Sequence, residues 1–90
     1  MVERIVTITN PLGIHARPAA LIVQCAAKYD SEVFLSKGDI SGINGKSIMG
    51  VMMLAAEEGS EVKIIAEGVD AEVAVSAVGN LMKSNFEESA

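Results

Sequence analysis

The sequence predicts an α+β domain in which a four-stranded, mainly antiparallel sheet carries three helices on one face, in the order β-α-β-β-α-β-α. Three observations carry this. Four short segments alternate apolar and polar residues and are rich in Val, Ile and Thr. The stretches between them space apolar residues at helical intervals, and Gly, Asn, Asp or Pro stands at the joints. Finally, 90 residues suffice for one core and no more.

The first segment, Val2 to Thr9, turns Val2, Val6 and Ile8 to one side and Glu3, Ile5 and Thr7 to the other, a strand with one buried face. Asn10-Pro11-Leu12-Gly13 then carries turn chemistry, and Ala16 to Lys28 reads as a helix with Ile22, Cys25, Ala26 and Tyr29 along one face. Asp30-Ser31 breaks it. Glu32 to Lys37 is a second strand with Val33 and Leu35 inward, Gly38-Asp39 turns the chain, and Ile40 to Ile43 returns as a short strand weakened by glycine. After the Asn44-Gly45 turn, Ser47 occupies an N-cap position ahead of a short helix over Ile48 to Leu54, and Gly59 suits that helix's C′ position. Ser60 to Glu67 alternates again, with Val62, Ile64 and Ala66 inward. Ala74, Ala77, Val78, Leu81 and Met82 form the apolar stripe of a last helix, which decays into the acidic tail Glu87-Glu88.

Composition restricts function before any motif is considered. Half the residues are apolar, yet Phe34, Phe86 and Tyr29 are the only aromatic rings, so the core must be built from Val, Ile, Leu, Met and Ala. Seven basic against 12 acidic residues give a net charge of −5, with the cations scattered singly, which argues against nucleic acid or an anionic membrane as partner. A single cysteine, Cys25, excludes an internal disulfide and reads as a small core residue. One histidine and one cysteine do not furnish a zinc site, and no second base stands ready to activate a nucleophile, so neither metal nor cofactor is expected. The N-terminus lacks the basic and apolar runs of a signal peptide and no stretch is long enough to span a bilayer, so a cytosolic, soluble protein without membrane insertion is expected.

The chemistry concentrates in Leu12-Gly13-Ile14-His15-Ala16-Arg17-Pro18-Ala19-Ala20. Pro18 belongs in a first helical turn, where its missing N–H is no loss, and this places His15 at or near the N-cap. The free N–H groups of Ala16 and Arg17 would then point toward whatever His15 carries, and the Arg17 guanidinium adds a planar fork suited to phosphate oxygens. The helix dipole and Arg17 both disfavour a further positive charge on the ring, so a neutral imidazole with a nucleophilic nitrogen is expected. Such a site can hold a phosphoryl group reversibly. The plainer reading, His15 as a cap beside a solvated Arg17, remains open on these residues alone.

Gly45-Lys46-Ser47 has the ending of a phosphate-binding P-loop, but that pattern needs glycine where this chain has Ile40. Ser47 therefore reads as an N-cap, a position where an added phosphate would also be stabilised. Ile48, Met49, Val51, Met52, Met53 and Leu54 surround a helix of one to two turns with apolar groups, so some must face solvent as adaptable docking surface. The expected patch comprises Ala20 and Gln24 of the first helix with Ile48, Met49 and Met52, and it requires the two helix N-termini to be neighbours. Glu57, Glu58, Glu87 and Glu88 are expected to face solvent.

Gly13-Ile14-His15-Ala16-Arg17-Pro18-Ala19 and Asn44-Gly45-Lys46-Ser47-Ile48-Met49-Gly50-Val51-Met52, with the length and element order, resemble the HPr family of histidine-containing phosphocarriers of the bacterial phosphoenolpyruvate-dependent sugar phosphotransferase system. Both motifs at this separation overturn the cap-only reading. The resemblance spans residues 1–90 as one domain and implies an open-faced β-sandwich. It also implies that His15 accepts a phosphoryl group on Nδ1 from enzyme I and passes it to sugar-specific IIA domains, with Arg17 contacting the phosphate. This is the role of a carrier in a relay, not of an enzyme, and a monomer is expected. In many family members the serine matching Ser47 is phosphorylated by a dedicated kinase, which slows transfer at the histidine and recruits a catabolite-repression regulator. Lys46, Ile48 and Met49 flank Ser47 as in those members. One departure is that the Lys37 to Gly45 region is a residue longer than the commonest spacing. The nitrogen-branch paralogue shares Thr9-Asn10 and Gly13 to Ala19 but typically lacks the Lys46-Ser47-Ile48-Met49 context, so the sugar branch is favoured. A non-catalytic binding module is disfavoured by His15 with Arg17.

Overall fold

A computed structural model describes residues 1–84. The acidic pair Glu87-Glu88 and the ring of Phe86 lie outside the described residues. The elements follow the expected order: β1 (Val2–Thr7), α1 (Ala16–Ala26), β2 (Glu32–Lys37), β3 (Ile40–Asn44), α2 (Ile48–Met53), β4 (Glu61–Glu67) and α3 (Ala71–Lys83). The strands form one sheet in the order β1-β4-β2-β3. Every neighbouring pair is antiparallel, so the sheet is wholly and not just mainly antiparallel. The architecture is an α+β open-faced sandwich.

The alternation read from the sequence sorts the faces. Val6, Val33, Leu35, Val62, Ile64 and Ala66 are buried beneath the helices, while Glu3, Ile5 and Thr7 lie exposed on the other side of the sheet. Each fully buried Val, Leu or Ile contributes about 1.5–3 kcal/mol relative to exposure. α3 packs across β1 and β4, and α1 packs against both α2 and α3. The aliphatic core is as expected; Tyr29 and Phe34 are only half-buried, and Met82 is the methionine placed within it.

Some details differ from the sequence reading. In α1, Pro18, Ala19, Ile22 and Ala26 are buried, but Cys25 is half-buried at the edge of the core. α1 stops at Ala26, two residues early, where Lys28 and Tyr29 bond back to Cys25 and Ala26 in a tightened last turn. α3 begins at Ala71, so its buried stripe runs through Ala71, Ala74, Val75, Val78 and Met82, leaving Ala77 and Leu81 half-buried. Gly59 is not the C′ residue of α2. That helix ends at Met53 and it is Ala55, at φ 50°, that turns left-handed; Gly59, at φ 91°, instead bends the chain into β4 and donates to the Ile8 carbonyl.

The register of the β2–β3 hairpin shifts by one residue between Leu35 and Lys37. Leu35 pairs with Ile43 and Lys37 with Ile40, so Ser41 and Gly42 together oppose Ser36. Gly42 takes φ 70°, the left-handed conformation that favours glycine at such a site.

A far-reaching polar knot joins the α1–β2 and β4–α3 connections. The Asp70 carboxylate accepts from the backbone N–H of Asp30 at 3.0 Å and of Ser31 at 2.9 Å, and from the Ser31 hydroxyl. The Ser31 oxygen in turn accepts from the Asp70 N–H at 3.2 Å. Ser31 is the buried polar residue of the described core, and these bonds satisfy it.

Candidate functional site

His15 is the N-cap of α1. Its backbone is extended, at φ −105° and ψ −162°, and its carbonyl accepts the first helical bond from the Ala19 N–H at 2.9 Å. The imidazole makes no capping bond and is exposed. Because Pro18 has no N–H, the free donors of this first turn are those of Ala16 and Arg17. Arg17 is exposed and forms no ion pair among the described residues. The arrangement therefore places one imidazole, two backbone donors and one guanidinium within three consecutive residues. That set can surround the oxygens of a tetrahedral anion.

The loop leading to His15 is tied down on both sides. The Asn10 carbonyl accepts from the Gly13 N–H at 2.9 Å, and the Asn10 amide donates to the Gly13 carbonyl at 2.8 Å. The Ile14 N–H then donates to the Ala56 carbonyl at 2.9 Å, with Ile14 buried. Gly13 takes φ 69°, and a Cβ there would stand 2.4 Å from the Ala56 oxygen. Only glycine fits this crossing.

Ser47 is the N-cap of α2, as expected, with its hydroxyl accepting from the Gly50 N–H at 3.1 Å. Val51 and Leu54 alone turn that helix's apolar groups inward; Ile48, Met49, Met52 and Met53 are exposed, with Met49 retaining 77% of its surface. Ala20 on α1 is half-buried and Gln24 exposed. Gln24, one turn after Ala20, also borders the shallow groove between α1 and α3. Leu12, three positions before His15, and Met53 are exposed as well. Sequence does not reveal which way either side chain turns.

The expectation that the two helix N-termini are neighbours is corrected. Ile14, just ahead of α1, bonds to Ala56, just beyond α2. At the opposite end, Lys46, just ahead of α2, donates through Nζ to the carbonyl of Tyr29, just beyond α1, at 2.8 Å. The two helices thus run head to tail. His15 lies beside the end of α2, and Ser47 lies toward the end of α1. The short Gly13–Ala56 crossing forces this, because the loop after α2 must pass beneath the start of α1.

Among the described residues no cluster of three or more His, Cys, Asp or Glu is placed to hold a metal ion, and no helix is long and apolar enough to cross a membrane. Fold and motif together are those of the histidine phosphocarrier class that the sequence resembles. The model of the family described as "PTS HPr component phosphorylation site" matches residues 2–84. The chain is 49% identical to the phosphocarrier protein HPr of Treponema pallidum, over 98% of this chain and 99% of that one. Its fold superposes on the crystal structure of HPr-C-His from Thermoanaerobacter tengcongensis with a TM-score of 0.89 and 46% identity, covering 98% of this chain and 99% of the other. An HPr dimer from the same organism matches at a TM-score of 0.76 and 45% identity, over 98% and 100%. The chain belongs to the HPr family.

Proposed function

We propose that residues 1–90 act as one phosphocarrier domain in which His15 accepts a phosphoryl group from phospho-enzyme I and passes it to IIA domains of a sugar phosphotransferase system. The observation that carries this reading is the exposed, uncapped imidazole at the start of α1, beside the free N–H groups of Ala16 and Arg17. The lone pair of Nδ1 forms the new P–N bond while the bond to the donor breaks, and the group passes onward by the reverse displacement. The N–H groups and the Arg17 guanidinium stabilise charge on the phosphoryl oxygens. The exposed Ile48, Met49 and Met52 of α2, with Ala20 and Gln24 of α1, supply a partner-docking surface across the packed α1–α2 pair, which does not depend on the helix N-termini being neighbours.

Ser47 is the site for a serine kinase, through which a catabolite-repression regulator is recruited. Its hydroxyl already sits where the N-terminus of α2 stabilises negative charge, so phosphorylation costs the fold only the Gly50 cap, which phosphate oxygens can replace. The Lys46-Ser47-Ile48-Met49 context favours the sugar branch over the nitrogen branch. The proposed monomer is checked by light scattering, since a related chain forms an HPr dimer.

The deciding experiment incubates the protein with phosphoenolpyruvate and enzyme I and follows mass and acid lability. One acid-labile phosphoryl group is expected on the parent and none on His15→Ala. A His15→Ala variant phosphorylated at the parent rate overturns the assignment.

A further inference from the structure

Both helices beside the site lack a cation in their own last turn. The turn beyond α1 receives one from Lys46, as described above. The turn beyond α2 receives one from Lys37, at the end of β2: its Nζ donates to the Ala55 carbonyl at 3.0 Å. Ala55 is the single non-glycine residue among those described with positive φ, at 50°. A left-handed backbone is unfavourable for alanine and neutral for glycine, so something outside the residue must hold it. The next residue, Ala56, is buried, and its carbonyl receives the Ile14 N–H that sets the start of α1. An ammonium at the carbonyl end of a helix is favoured both as a donor to a free carbonyl and by the dipole.

Taking His15 as the acceptor, we infer that Lys37 is a positioning residue for it: the ammonium holds the left-handed Ala55 peptide, which aims the Ala56 carbonyl at Ile14 and so fixes the backbone of His15. Lys37 does not touch the phosphoryl group in this arrangement. It acts through its side-chain hydrogen bond to the Ala55 carbonyl, the peptide link from Ala55 to Ala56, and the backbone hydrogen bond from Ile14 to Ala56. The register shift at Ser41–Gly42 lies in the strand paired with Lys37, next to its partner Ile40.

The test is amide hydrogen exchange at Ile14, read by NMR on the full chain for the parent, Lys37→Met, Lys37→Arg and the double variant Lys37→Met with Ala55→Gly. Loss of the charged hydrogen bond should speed Ile14 exchange about tenfold in Lys37→Met. Val62 and Ile64 in β4 should exchange at parent rates. Lys37→Arg should restore protection, and glycine at position 55 should remove the dependence on Lys37, because it adopts the left-handed conformation unaided. Phosphoryl transfer from phospho-enzyme I should fall several-fold in Lys37→Met, in kcat and not in KM. An unchanged Ile14 rate overturns the inference, as does equal acceleration at Ile14 and in β4, which would make Lys37 a general stabiliser. Faster exchange with unchanged transfer overturns it too. If the parent accepts no phosphoryl group, it is the role of His15 that fails, and the Lys37 linkage is then decided by the exchange data alone.

Discussion

At position 17 the guanidinium contributes little to the fold, being exposed and without an ion pair among the described residues, yet it stands where phosphoryl charge is proposed to develop. Arg17→Ala should therefore leave circular dichroism and thermal midpoint unchanged while slowing transfer. Loss of a charged hydrogen bond of about 1.5–3 kcal/mol corresponds to roughly a tenfold to hundredfold drop. Stopped-flow measurement of transfer from phospho-enzyme I checks this, and a parent-like rate removes Arg17 from the mechanism. Gly13 is the converse case, a residue whose value is the side chain it lacks. Gly13→Ala combines positive φ with a Cβ 2.4 Å from the Ala56 oxygen, so the crossing beneath His15 must open. A loss of roughly 1–3 kcal/mol in urea unfolding is expected, together with slower phosphorylation of His15.

At the scale of elements, α2 depends on its cap more than a longer helix would. With six residues it cannot be stable by propensity, and Ser47 satisfies one of its few free donors. Ser47→Ala should cost about 0.5–2 kcal/mol. Ser47→Asp retains a capping oxygen and adds a charge, so its stability should match the parent, with slower transfer from enzyme I. Since α1 and α2 run head to tail, the new charge stands at the far end of the pair from His15. A six-residue helix is about 9 Å long, close to the Debye length of about 8 Å at physiological salt. The penalty should thus act on partner association and shrink as salt rises. Rates for parent and Ser47→Asp that stay parallel across ionic strength would sink this electrostatic account.

For the molecule as a whole, the Asp70 knot couples two loops forty residues apart, and it makes stability sensitive to acid. Bonds from the Ser31 hydroxyl and the Asp30 N–H, reinforced by the Ser31 N–H, hold the Asp70 carboxyl below its ordinary value of 3.8. A carboxylate whose folded value is depressed contributes stability above its unfolded value and loses it as pH falls through the folded one. The contribution should be complete at neutral pH, start to decline as pH nears about 4, and be lost only as pH falls past the depressed folded value. Asp70→Asn should lower stability at pH 7 and show a flatter decline than the parent across the acid range, measured by urea midpoints at successive pH values. Equal slopes would show that other carboxylates govern acid unfolding.

Local periodicity and local chemistry were enough for element order, the inward faces of β2 and β4, the aliphatic core, and the capping positions of His15 and Ser47. Each depends on neighbours within about four residues, so it is written in a short stretch of chain. The site's chemical groups were legible for the same reason, since His15, Ala16 and Arg17 are consecutive. The direction of α2 against α1, the left-handed Ala55, the Ser41–Gly42 bulge, the Asp70–Ser31 knot and the reach of Lys37 to Ala55 had no comparable signature. These depend on contacts between residues as much as forty positions apart, where no sequence period links the partners and the packing of the sheet against its helices sets the geometry.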